Sequence, residues 1–178
     1  MSRRNIIRRI IVSGIIIFVC FILQNTVFTT FAIADISPNL LIVVVSTVGF
    51  MRGKKEGMIV GFFCGILMDL FFGSVIGFYA LIYVVIGYLN GFMTVIFFRD
   101  DVKLPLLFIG ASDFAANIFA YFFLFLFRNR TDIGFYMLHI ILPELLYTIL
   151  VSLVLYFVLL KINDRLEKLE KKSEAKFV

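Results

Sequence analysis

Residues 38–73 read PNLLIVVVSTVGFMRGKKEGMIVGFFCGILMDLFFG, two apolar runs separated by a short basic cluster. The runs at 38–51 and 57–72 are each shorter than the roughly 20 residues with which a helix crosses a bilayer. Ser37 suits an N-cap, and Pro38 then suits the first helical position. The stretch therefore predicts two short helices, the first beginning at Pro38, with the basic residues between them.

Four longer apolar runs flank this stretch, and together they indicate the fold class. They lie at about 10–31, 75–98, 105–127 and 134–160, and Pro105 again suits a helix start. The chain is 62% hydrophobic and 16% charged, whereas a soluble domain is roughly 25% charged. We therefore predict an all-α integral membrane protein, with six transmembrane helices in residues 1–160 and a charged cytoplasmic tail at 161–178.

The basic residues between the apolar runs predict how the helices are oriented. With six crossings, all but two of the 17 lysines and arginines fall on the same side as both termini, and the exceptions are Arg128 and Arg130. Cytoplasmic segments carry such an excess, so both termini are predicted to be cytoplasmic. The formal charge of +5 does not indicate nucleic-acid binding, because the basic clusters are short and have no interleaved aromatic residues.

Small residues recur every four positions in the third predicted helix and beyond it. Small side chains at this spacing form a groove on one helix face, where another backbone can approach closely inside a membrane. The pattern predicts a helix-packing face, used either within the chain or by a partner helix. Its members are Gly57, Gly61, Gly65, Gly73 and Gly77, with Gly87 and Gly91 on the fourth helix.

Three acids lie inside the predicted helices, and no Lys or Arg accompanies them there. An ionised carboxylate costs about 3 kcal/mol at the centre of a bilayer, so we expect these groups to be neutral or hydrogen-bonded. Two interpretations are open: a relay or ligand pocket, and a polar network that fixes helix register. The predicted network comprises Asp69, Asn90, Asp113, Asn117, His139 and Glu144.

Two of these residues call for a closer prediction. Asp69 lies on the glycine stripe, so its carboxyl group should face protein and be mainly uncharged. Pro143 directly precedes Glu144 and has no N–H, so it should kink the sixth helix and release a backbone carbonyl near His139.

The sequence carries no pattern of an enzyme or of a metal site. It has no nucleophile elbow, no phosphate loop and no HExxH motif, and a single histidine does not build a metal site at these spacings. Cys20 and Cys64 both lie in apolar runs and are typical of small buried side chains. We predict a non-catalytic protein without a cofactor.

The middle of the chain resembles the MreD family of bacterial rod shape-determining membrane proteins. The resemblance rests on Pro38-Asn39-Leu40-Leu41, on Gly61-Phe62-x-x-Gly65-x-x-x-Asp69, and on Gly77-Phe78-Tyr79-Ala80-Leu81. These motifs fall in residues 38–91. The family commonly has an acidic residue after the first proline, where this chain has Asn39.

The resemblance implies a non-catalytic subunit of the cell-elongation (rod) complex in the bacterial cytoplasmic membrane, supporting lateral peptidoglycan synthesis. It implies three kinds of partner: an MreC-like bitopic protein, the peptidoglycan glycosyltransferase and transpeptidase, and the actin-like MreB filament, directly or indirectly. It also implies a fold similar to the substrate-binding subunits of energy-coupling-factor transporters. The alternative function is therefore a vitamin-like-molecule-binding subunit of a transporter, although Ser13-Gly14 is followed by bulky side chains where such subunits often carry small ones.

Overall fold

A computed structural model describes residues 3–30, 36–73, 75–96, 103–124 and 133–174. Five helices come first: α1 (Arg3–Thr30), α2 (Leu40–Arg52), α3 (Lys54–Phe71), α4 (Phe78–Ile96) and α5 (Lys103–Leu124). The last helical segment consists of α6 (Ile133–Tyr136), a π-helical turn (Met137–Ile141) and α7 (Leu142–Glu174). The described residues thus contain six helical segments in the predicted order.

The predicted start of α2 was wrong by two residues. Asn39, not Ser37, is the N-cap, and its side chain accepts a hydrogen bond from the Ile42 N–H at 3.2 Å. Pro38 consequently lies outside the helix, where it precedes the cap. A side-chain acceptor at Asn39 satisfies a helix-start N–H group that would otherwise be buried without a partner.

The α3–α4 connection is longer than predicted, and α4 begins at Phe78 rather than at residue 75. The backbone turns through Val75, Ile76 and Gly77, and Gly77 has a φ of +99°. Residues with a side chain rarely adopt this conformation, so glycine suits the turn. Pro105 lies in the first turn of α5, two residues after its start, where its missing N–H costs no helical hydrogen bond.

Helix α2 lies at the centre of the bundle. It packs against α1, α3, α4, α5 and α7, and every residue from Leu40 to Val45 is at most 2% exposed. Its sequence is apolar on all faces for this reason, since a helix enclosed by other helices has no solvent-facing stripe. At 13 residues it is only about 20 Å long.

Three of the described helices are long and apolar enough to cross a membrane: Asn5–Thr30, Lys103–Phe123 and Gly134–Lys172. The apolar helices Leu40–Arg52 and Phe78–Thr94 are shorter. Large apolar side chains are exposed along the bundle, for example Ile10 at 65% and Val154 at 68%. Such a surface suits contact with lipid rather than with water.

The last helical segment is irregular just before Pro143, where the sequence predicts a kink. The Leu142 N–H bonds to the Met137 carbonyl, five residues back, as in a π-helix. Beyond the apolar part, α7 continues as a helix to Glu174. The described part of the charged tail is therefore helical.

Candidate functional site

The backbones of α3 and α4 touch along the glycine stripe. A Cβ atom on Gly61 would lie closer than 3.0 Å to the Tyr83 carbonyl oxygen, and one on Gly65 would meet the backbone of Ala80. Gly57 and Gly87 face each other in the same way. The stripe is thus covered by a helix of the same chain and is not open to a partner.

Next to the α2–α3 connection, two further glycines extend this contact, and Gly49 brings α2 into it. A Cβ on Gly49 would meet the Gly87 carbonyl oxygen at 2.8 Å, and one on Gly91 would meet the backbone at Gly53 and Lys54. Sequence reasoning missed Gly49. It continues the four-residue period backwards from Gly57, which is the signal that could have found it.

Gly73 and Gly77 do not belong to this helix–helix contact, although their spacing predicted it. Gly73 follows the end of α3, where a Cβ would meet the backbone of Asp69 in its own turn. Gly77 lies in the connection, and a Cβ there would have no atom within 4 Å. The period of four thus continues past the end of α3, and these two glycines belong to the turn that follows it.

Asp69 caps the start of α4 from the end of α3. Its Oδ2 accepts hydrogen bonds from the N–H groups of Gly77 (2.9 Å) and Ala80 (3.0 Å), and its Oδ1 accepts one from Tyr79 (2.8 Å). An ionised carboxylate accepts at both oxygens, and the positive end of a helix favours it. The three donors therefore favour an ionised carboxylate over the uncharged Asp69 that the sequence predicts, and the stability of Asp69→Asn decides between the two forms.

Asn39 joins three helices next to this cap. Its Oδ1 accepts from the Tyr83 hydroxyl of α4 at 3.1 Å, and its backbone N–H donates to Thr148 Oγ1 of α7 at 3.0 Å. Tyr83 and Thr148 are both 0% exposed. The Asn39 amide oxygen provides the acceptor that an acidic residue at this position would also provide.

Two of the predicted polar residues meet across α5 and α7. Asp113 on α5 is 0% exposed, and Glu144 on α7 lies near enough for the two carboxyl groups to interact electrostatically. The Asn117 amide bonds to the Asp113 carbonyl at 3.2 Å and also contacts the Glu144 carboxyl group. Asp113, Asn117 and Glu144 thus form one cluster.

The remaining members of the predicted network lie elsewhere. The Asn90 amide donates to Ser112 Oγ of α5 at 2.8 Å and to the Ile86 carbonyl of its own helix at 2.9 Å. It therefore joins α4 to α5. His139 is exposed, and its ring stacks on Phe135 with centroids 4.2 Å apart. The placement of His139 in a buried network was wrong.

An ion cluster holds four helices together at one end of the bundle. Arg9 of α1 pairs with Glu56 of α3 at 2.5 Å and with Glu170 of α7. Arg52 of α2 bonds to Asn163 of α7 at 2.7 Å and pairs with Glu56 at 3.2 Å. Sequence reasoning used these residues only as a count of charge, since nothing in their spacing indicated partners so far apart in the chain.

An open apolar groove of about 660 Å³ runs between α1 and α3. Gly14 lies in its wall, and a Cβ on it would meet no atom within 4 Å. Phe18, Ile59 and Phe63 line the groove and are each more than half exposed. The Arg9–Glu56 pair lies at one end of the groove, which we predict to be the cytoplasmic, inner end.

Apolar exposed faces, a fully enclosed central helix and buried polar contacts between helices define a helical membrane protein. The chain belongs to the MreD family, because the family model described as rod shape-determining protein MreD matches residues 5–165, nearly the whole chain. It is accordingly a structural, shape-determining protein of the bacterial inner membrane. The comparison with curated proteins and that with solved structures gave no match.

Proposed function

We propose that this chain is a non-catalytic subunit of the rod complex that supports lateral peptidoglycan synthesis by packing its helices against partner proteins. The proposed partners are an MreC-like bitopic protein, the glycosyltransferase and transpeptidase of peptidoglycan synthesis, and the MreB filament, directly or indirectly. The family match over residues 5–165 is the observation that carries the proposal.

The α1–α3 groove is the surface that suits the transmembrane helix of the MreC-like protein. The glycine stripe of α3 is already occupied by α4, so a partner needs another small-residue site. Ser13 and Gly14 provide one in the groove wall, and small residues let a second backbone approach within a membrane. The apolar side chains around them offer packing area, while the Arg9–Glu56 pair keeps the inner end of the groove close to neutral.

The test is co-purification of the MreC-like protein with Gly14→Leu, compared with Gly134→Leu as the matched control. A Cβ at either glycine meets no atom within 4 Å, so both variants should fold. We expect Gly14→Leu to reduce the recovered partner about tenfold, corresponding to about 1.4 kcal/mol, and to give rounded cells. Full recovery of the partner with Gly14→Leu would exclude the groove as its site.

The proposal includes six crossings, cytoplasmic termini and a fold similar to the substrate-binding subunits of energy-coupling-factor transporters. Depletion of the protein in its host separates shape determination from vitamin transport. We expect rounded cells with intact vitamin uptake. Rods that have become vitamin auxotrophs would instead establish the transporter function.

A further inference from the structure

The charged tail at the end of α7 separates its acids and its bases onto two faces of one helix. The acidic face is held against the bundle, where Glu170 pairs with Arg9 of α1. One turn and a half earlier, Asn163 accepts a hydrogen bond from Arg52 of α2 at 2.7 Å and donates one to Glu167 at 3.0 Å. These contacts fix the orientation of the tail helix about its own axis.

The opposite face of the tail is basic. Residues 161, 165, 168 and 172 lie within about 60° of one another around an α-helix, and all four are exposed. Within the described part of the chain, none of them forms an ion pair. Asp164 is exposed beside them, so four cations face a single nearby acid. The members of this basic stripe are Lys161, Arg165, Lys168 and Lys172.

The tail lies at the level of the apolar surface of α1 rather than beyond it. Ile6 and Ile7 precede Arg9 in α1 and are 44% and 52% exposed, as suits side chains that contact lipid. Because Arg9 pairs with Glu170, the tail as far as Glu170 lies beside this apolar region. Leu169 of the tail is itself exposed. Basic side chains next to apolar surface place their charged ends at the boundary between membrane and water.

We propose that the basic stripe binds the anionic headgroups of membrane lipids, with phosphatidylglycerol as the representative lipid. Four cations without a protein partner complement headgroup phosphates that carry a negative charge, and the exposed apolar side chains at the same level suit contact with the acyl chains. The stripe shares no residue with the α1–α3 groove. This lipid site therefore goes beyond the proposed function and does not depend on it.

Native mass spectrometry of the full chain tests the proposal, by titration in detergent with phosphatidylglycerol or phosphatidylcholine. We expect phosphatidylglycerol to bind with the lower Kd, and its advantage to shrink as ionic strength rises, because salt screens exposed charges. The double variant Lys161→Gln/Lys168→Gln should raise the Kd of phosphatidylglycerol at least about tenfold, since each cation beside an anionic lipid contributes about fivefold in affinity. The Kd of phosphatidylcholine should not change.

The matched control is Lys55→Gln/Lys103→Gln, which removes the same charge from exposed lysines of α3 and α5, outside the stripe. Both double variants should keep the wild-type Tm, because the lysines that they replace are exposed. The proposal is overturned if the wild type binds the two lipids equally, or if both double variants weaken phosphatidylglycerol binding to the same extent. Unchanged lipid binding by Lys161→Gln/Lys168→Gln, together with loss of an acidic protein that co-purifies with the wild type, would assign the stripe to a protein partner and also overturn the proposal.

Discussion

A single side chain, Asp69, fixes how α3 connects to α4. Helix α4 starts after a turn with three N–H groups directed at one carboxylate, and its positive end is thereby neutralised inside an apolar bundle. Asp69 is 2% exposed, so no water replaces these bonds if the side chain is changed. Its position four residues after Gly65 lets it lie against the same helix that the glycines contact.

Asp69→Asn is therefore expected to destabilise the protein, contrary to what an uncharged Asp69 would imply. The asparagine oxygen can accept the hydrogen bonds that one carboxyl oxygen accepts in the wild type. The NH₂ group that replaces the other oxygen cannot accept, so the backbone N–H that it faces loses its acceptor. We expect a loss of about 1–3 kcal/mol, measured by denaturation in detergent, with a larger loss for Asp69→Leu. A stability of Asp69→Asn equal to that of Asp164→Asn would show that the carboxyl group is neutral.

At the residue scale, the sequence identified important buried polar residues, but it did not predict their contacts. Asp69 was identified because it lies on a glycine stripe, and Asp113 because it is an acid inside a predicted helix. Their partners are backbone N–H groups of a turn and side chains on α7, and no local pattern encodes them. His139 shows the converse error, since nearness to Glu144 in sequence did not place it in the buried cluster.

The α3–α4 pair is the element that the sequence specified most strongly. Glycines on both helices let carbonyl oxygens and Cα atoms pack directly together, which replaces the hydrophobic drive that is weak between helices in lipid. The same contact includes Gly49 of α2, so α2, α3 and α4 meet next to the α2–α3 connection.

Gly61→Leu should consequently prevent the α3–α4 contact, because the new side chain would collide with the Tyr83 backbone. Backbone atoms cannot rotate away, so we expect a loss of at least about 3 kcal/mol and poor recovery of folded protein. The measurement is the fraction of monodisperse protein after solubilisation. Gly134→Leu is the matched control, and equal recovery of the two variants would contradict the packing described here.

The period of small residues located this element but did not show where it ends. Gly73 and Gly77 continue the period into a turn. Gly77 is suited to its positive φ, and a Cβ at Gly73 would collide with the backbone of Asp69. The start of α2 was misplaced for a related reason, since both Ser37 and Asn39 are good caps. The hydrogen bonds that Tyr83 and Thr148 form with Asn39 favour Asn39 as the cap.

For the whole molecule, the number of helical segments could be predicted from the sequence, but their arrangement could not. Helix α2 is enclosed by five other helices, and nearly all of its side chains are buried. Short length and uniform hydrophobicity are compatible with several positions in a bundle, and the contacts that place α2 in the centre come from distant parts of the chain. The Arg9–Glu56–Glu170 cluster, which ties α1 and α3 to α7, is of the same long-range kind.

The membrane topology follows from combining these contacts with the distribution of charge. Arg9 and Glu170 pair, so the start of α1 and the tail of α7 lie on one side, as an even number of crossings requires. The three helices that are long enough to span would by themselves place the termini on opposite sides. We therefore expect α2, α3 and α4 to cross as well, although α2 is too short to do so without its neighbours.

Accessibility of single cysteines to a membrane-impermeant thiol reagent in intact spheroplasts tests this predicted topology, after replacement of the buried Cys20 and Cys64. Ile76→Cys should react from outside, whereas Lys171→Cys and an N-terminal cysteine should react only after lysis. Labelling of one terminus but not the other in intact spheroplasts would establish an odd number of crossings and exclude the pairing of Arg9 with Glu170.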